Sequence, residues 1–541
     1  MFRKCFRIVF AVLLVFALSS GALALQPQDA LSARPAQSIY TVIGIEDMNS
    51  LLKYVLSPAN VEMLTSLAGP DQADGINLVV AIATQIPAKS VLVAAGLTME
   101  GPFAQVVATM PESLKDKLGK LSDGSAKGVD IISLLLGEGG MMLAPLIEDG
   151  IEAQKGPNGA YYTLMGMVAL AAKDNLLMIA SSPDQLDASL EALAKKDNRL
   201  ALKRRSDSQN FWFTHIDMPT AVAMAGAFGG DMSEFGNPDE LIKLFKAPLE
   251  MEFALSPKPD SVLLSVAVNA LESIANMEGF ADLKPVKGAN LFMAGGGKLL
   301  FALSSPLAFS AADIKANPAI GEAWGNFVSQ LEALGMTEKD FEDLLNGSFS
   351  VALGSDANVM GIDIPGGYIA LTGREGAAAK ILGKLMALGA APVNAVKADG
   401  WDSLYAVDPE MAPVSLIFGI KKDTLFAGLA KSDAVNKAPA LPDGVAKTLN
   451  DPLFGIGFLD AAGIWNWLKQ EMANPGSLLA ANMEDEVKGI MNFFLEAELS
   501  VPLIKLWCPE LERSFMEFTT VDVPLEKGIL HRLYELGKMF M

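Results

Sequence analysis

The sequence predicts an α+β fold made of two tandem, duplicated halves, each a mainly antiparallel sheet with helices packed on one side of it. Three observations lead there. Short apolar runs bounded by turn residues alternate with helix-start signals along the 541 residues. The strands come as hairpins, not as a regular strand–helix–strand alternation. A matching order of strands, turns and helices returns later in the chain, at offsets of 249 and 243 residues.

The chain opens with an export signal. Arg3, Lys4 and Arg7 form a positive region, Ile8–Leu18 is unbroken and apolar, and Ala22-Leu23-Ala24 gives a small-x-small cleavage pattern. Cleavage is expected after Ala24. An uncleaved anchor is the alternative, since the apolar stretch just reaches across a bilayer. Ser19-Ser20-Gly21 suits a cleavage region better than a membrane span. No other apolar run has that length, so the mature chain is expected to carry no transmembrane span and to work in the periplasm, at the cell surface or outside the cell.

The elements follow in order. Ile76–Ala83 and Ser90–Leu97 read as strands around Pro87, and Phe103–Leu118 as a helix. Leu164–Ala172 and Leu176–Ala180 read as a hairpin across Lys173-Asp174-Asn175. Ser182-Pro183-Asp184-Gln185 combines an N-cap serine, a first-turn proline and a capping-box glutamine, opening a helix through Lys195. The same hairpin returns at Val414–Ile420 and Leu425–Ala430 across Lys421–Thr424, with Ser432-Asp433 opening a helix; Lys173-Asp174 aligns with Lys422-Asp423. Phe211–Asp217 and Phe454–Asp460, each before a helix, form a second match. A third sets Leu249–Leu255 with Ser261–Val268 against Phe493–Leu499 with Phe515–Val521. The polar stretch Met277–Ala289 separates the halves, giving a signal peptide over 1–24, a first repeat domain over 25–280 and a second over 281–541. Within the second, Ile320–Leu334 reads as a helix, and Thr337-Glu338-Lys339-Asp340 as a capping box for a short helix to Leu345. Ser348–Leu353 is a strand, and Leu525–Phe540 a terminal helix docked on its half.

Strand, acidic residue, helix occurs three times: at Glu46-Asp47 before Leu51–Leu56, at Asp217 before Thr220–Phe228, and at Asp460 before Ile464–Lys469. A carboxylate there satisfies free helix N–H groups and opposes the positive dipole end. Recurrence at equivalent places points to a device of the fold.

The runs Gly335–Leu345, Gly347–Leu353 and Gly367–Leu371 before a helix over Ala377–Leu388 resemble exported bacterial proteins grouped as a domain of unknown function. Leu177-Met178-Ile179-Ala180-Ser181-Ser182-Pro183 has the same look. The resemblance implies repeated strand, hairpin and helix modules and a periplasmic or cell-surface setting. It implies no activity and no functional residues.

Composition narrows the functions. The net charge is -21, and loss of Arg3, Lys4 and Arg7 with the signal takes it to -24, against binding nucleic acid or anionic lipid headgroups. Cys5 leaves with the signal, so Cys508 has no partner for an intramolecular disulfide; its apolar setting suits an inert buried thiol. With two histidines, His215 and His531, a multi-histidine zinc site is excluded, and no G-x-S-x-G elbow accompanies them. Gly295-Gly296-Gly297-Lys298 fails the phosphate-loop spacing. Gly137-Glu138-Gly139-Gly140 and Gly229-Gly230 read as turns, Glu484-Asp485-Glu486 as a solvated run, and Gly354–Asn358 makes a poor calcium loop. No catalytic, cofactor-binding or metal-binding residue is assigned, and no cofactor is implied. Apolar residues make up 51% of the chain, with 26 methionines. Together these predict a non-enzymatic extracytoplasmic binding or envelope-assembly protein whose partner is a lipid, another apolar ligand or an envelope protein. A carboxylate-based hydrolase and a structural surface component are the alternatives.

Overall fold

The computed structural model describes residues 37–47, 88–99, 101–137, 150–164, 166, 168–195, 205, 208, 210–227, 238–275, 277, 283–287, 297–307, 310–316, 321–333, 335–359, 362–387, 393–407, 416–431, 435–437, 440–442, 444–448, 451–474 and 476–540. The signal peptide, the strand expected at Ile76–Ala83 and the helix expected at Leu51–Leu56 lie outside them. So do Ser432-Asp433; Val435–Lys437 beyond them form a turn.

The chain divides into two compact units. Unit 1 runs to Ser256 and resumes over Ser265–Asn276; unit 2 takes in Pro257–Leu264 and the chain from Met277. In unit 1 the strands are β1 (Ser38–Ile45), β2 (Ser90–Thr98), β3 (Gly101–Thr109), β4 (Ile151–Gly156), β5 (Gly159–Leu164), β6 (Val168–Lys173), β7 (Leu176–Ala180), β8 (Asn210–Ile216) and β9 (Leu249–Pro257). A tenth, β10 (Ser261–Val268), begins in unit 2 and ends in unit 1. Their spatial order is β10-β9-β8-β1-β2-β3-β7-β6-β5-β4, antiparallel at every register resolved.

Unit 2 contains β11 (Val286–Lys287), β12 (Phe301–Leu307), β13 (Gly347–Val359), β14 (Ile362–Thr372), β15 (Val393–Ala395), β16 (Ser403–Val407), β17 (Leu416–Lys421), β18 (Thr424–Leu429), β19 (Pro452–Leu453), β20 (Gly455–Asp460), β21 (Leu503–Glu510) and β22 (Arg513–Thr519). Short β11 and β19 pair only with each other. The rest run β22-β21-β20-β12-β13-β14-β18-β17-β16-β15, again antiparallel throughout. Counting each unit's strands from its own first, and leaving out β11 and β19, both units read 10-9-8-1-2-3-7-6-5-4.

The core of unit 1 has two faces. Val91, Val93, Val106, Leu177 and Ile179 pack against the helices Lys115–Asp123 and Gly128–Leu136 through Leu118, Leu121, Ile131 and Leu134. On the other face Leu92, Val107 and Met178 pack with Leu186, Leu190 and Leu193 of the helix Pro183–Lys195. Helices therefore cover both faces of the central strands, where the sequence predicted one. The reason is visible in β7, Leu176–Ala180, buried at every position: a strand apolar at consecutive residues needs cover on both sides.

The same double burial explains a second correction. Phe103–Leu118 is not one helix: Phe103–Thr109 lie in β3, one 3-10 turn spans Glu112–Leu114, and a helix begins at Lys115. Paired with β2 and β7, β3 is buried along both faces at Val106, Val107 and Ala108, which erases the period-two signal of a strand. Leu164 closes β5 and not the next strand, because Gly166 turns the chain with φ 65°. Phe493–Leu499 is not the strand that pairs with Phe515–Val521. Phe493 belongs to the helix Asp485–Leu495, and the partner of β22 is β21, ten residues beyond the aligned position.

Unit 2 repeats the two-faced core. Tyr368, Phe426, Ile456 and Phe458 fill one side, where the Tyr368 side chain lies over Gly428, a position at which any Cβ would meet its Cα and Cβ at 2.6 Å. On the other side Leu371, Phe418, Leu425 and Ile420 meet the helices Gly321–Ala333, Glu338–Leu344 and Ala377–Ala387. The predicted capping box is formed in full: Thr337 Oγ1 accepts from Asp340 N at 3.3 Å and Thr337 N donates to Asp340 Oδ2 at 2.8 Å.

Candidate apolar binding face

Residues directly opposite each other on paired strands share a face. In unit 2 this rule assembles two adjacent rows across the sheet. One passes through Ile504, Leu459, Phe301, Leu353, Leu429 and Leu416. The next passes through Met516, Leu506, Leu303, Val351, Ile369 and Phe418. Neither row contains a charged side chain. At about 4.8 Å per strand, each stretches roughly 30 Å. The helices on this face cover the Leu371, Leu425 and Ile420 end. Beyond their edge, Leu353 is 41%, Ile369 49% and Leu416 39% exposed. Covering three such half-open side chains is worth about 3 kcal/mol, from about 2 kcal/mol for each fully buried one.

Unit 1 has its own exposed patch on β8 and β9. The Trp212 and Phe253 rings, centroids 6.4 Å apart, and Leu255 all face solvent. Trp212 Nε1 donates to Thr214 Oγ1 at 3.0 Å, which ties the ring to the strand.

The polar residues singled out from the sequence are held in structural pairings. Asp460 Oδ1 accepts from Gly463 N at 2.8 Å as a helix cap, and its Oδ2 lies 2.7 Å from Lys298 Nζ. Lys298 thus delivers a counter-charge to a cap. Asp217 accepts from Thr220 N at 3.2 Å in the equivalent place of unit 1. The Asp47 helix lies outside the described residues. Buried His215 stacks on Tyr40, with Nδ1 3.1 Å from Glu250 Oε1, and His531 sits on the terminal helix Ile529–Phe540 beside Tyr534. The two histidines are on different units. Cys508 is on the apolar face, opposite Gly455, and burial pushes its thiol pKa up. Glu484 stands at the N-cap position, without a side-chain capping bond, of the helix that Asp485 and Glu486 open, and Gly354 lies within β13.

Two ionic clusters escaped the sequence reading. Buried Asp340 receives Lys384 Nζ at 2.6 Å on Oδ2 and Lys380 on Oδ1. Burial alone would raise its carboxyl, but the two lysines and Thr337 outweigh that and hold it well below the usual carboxylate range. Glu517 on β22 faces Lys505 at 2.7 Å, Lys258 and Ser261 Oγ at 3.1 Å. Burial again works upward, yet these donors bring the Glu517 carboxyl down to about 2. Beyond the Thr337–Asp340 box, neither cluster has a local motif; the lysine pairings depend on strands and helices that meet only in the fold. Among the described residues, no group of three or more His, Cys, Asp or Glu converges as a metal site, and no helix is long and apolar enough to cross a membrane.

No family model matches the chain, and no curated protein matches it. Among solved structures it is similar to TP0453 in crystal form III, with TM-score 0.22 and 11% identity over 45% of this chain and 80% of that one. Crystal form IV of the same protein gives TM-score 0.21 and 11% identity over 45% and 81%. A likeness of this order says nothing about function.

Proposed function

We propose that the protein is a non-enzymatic, extracytoplasmic binding protein that holds an apolar ligand on the sheet face of unit 2. The observation that carries this reading is the pair of uncharged rows that include exposed Leu353, Ile369 and Leu416. Sites for such ligands are apolar with few polar groups. The positive region, apolar run and Ala22-Leu23-Ala24 of the N-terminus support export to the periplasm or cell surface. We further propose that the two halves arose by tandem duplication. Support comes from the shared strand order and from the Asp217 and Asp460 caps, each at the end of the eighth strand of its unit. The test is native mass spectrometry of residues 25–541 followed by organic extraction, beside titration with a neutral apolar fluorophore. A co-purifying apolar molecule at fixed stoichiometry, and at least tenfold weaker fluorophore binding by Ile369→Asp, are expected. A ligand-free mass together with unchanged fluorophore affinity in Ile369→Asp overturns the reading.

A further inference from the structure

We draw no further inference here: the strongest candidate, the exposed Trp212–Phe253 ring pair on β8 and β9 of unit 1, is an unpartnered sheet face and nothing in the structure shows what covers it.

Discussion

Replacing Glu517 by Gln keeps its shape and removes its charge. The folded carboxyl titrates at about 2 against an ordinary 4.5. At about 1.4 kcal/mol per pH unit, the ionised form contributes about 3 kcal/mol at pH 7. That figure is an upper value, because Lys258 is 43% exposed and solvent screens its half of the pairing. The sign follows from the direction of the displacement. A depressed carboxyl stabilises fully above its unfolded value of about 4.5, and the contribution disappears as pH falls through about 2. The gap between wild type and Glu517→Gln is therefore expected to be about 2–3 kcal/mol at pH 7 and about 1 kcal/mol at pH 3. Urea denaturation of both proteins at a series of pH values, followed by tryptophan fluorescence, measures it. Trp507 reports locally, since Lys505 Nζ lies 4.7 Å from its ring centre. A gap that stays the same from pH 7 to pH 3 refutes the reasoning, because it would mean that the loss comes from packing and not from charge.

Other substitutions probe the rest of the framework. Asp340→Asn removes the counter-charge of Lys380 and Lys384, and is expected to lower stability by about 2 kcal/mol in urea denaturation. Its deficit should narrow in acid, where the wild-type carboxyl also loses its charge. Asp460→Ala deletes the cap on Gly463 and the partner of Lys298; about 1–2 kcal/mol is expected, and an unchanged melting curve would deny the cap its role. The Cys508 thiol should react with an aromatic disulfide reagent at pH 8 at least tenfold more slowly in the native protein than in urea, followed by absorbance.

What could be read from the sequence was local chemistry. The Thr337–Asp340 box, the Ser182 cap and the hairpin turns read at Lys173–Asn175 and Lys421–Thr424 all formed, because each depends on neighbours within four positions; the loops themselves are two residues, since Lys173 pairs with Leu176 and Lys421 with Thr424. Matching the hairpins by their aspartates, Asp174 with Asp423, misplaced the register by one residue. The structural counterpart of Asp174 is Lys422: both are first loop residues with positive φ, 53° and 57°. A slip of one carries every side chain to the opposite face of a strand, so the matched sequence could not show which residues line the apolar rows. Those rows arise in part from strands far apart in the chain, such as Phe301 beside Leu459 and Leu303 beside Gly457. No spacing in the sequence encodes that adjacency.

The charged groups bear on the choice between binding and carboxylate chemistry. Paired-carboxyl hydrolysis needs one carboxyl raised enough to keep its proton near neutral pH. Among the described residues the carboxyls with displaced values, Glu112, Asp123, Asp130, Glu338, Asp340, Asp343 and Glu517, all move downward. Lysines or backbone and hydroxyl donors hold them there, and a carboxylate so held has no proton to give. Burial works the other way at each, and is overcome by partners, which is the arrangement of ions that join strands and helices together. The apolar rows of unit 2 are different in kind. Their exposed members Leu353, Ile369 and Leu416 remain in water at a standing cost of about 3 kcal/mol, which a further apolar surface would relieve. On the proposed reading, the sheet face of unit 2 is where an encounter would gain by covering apolar surface, while the ionic clusters are satisfied within the fold.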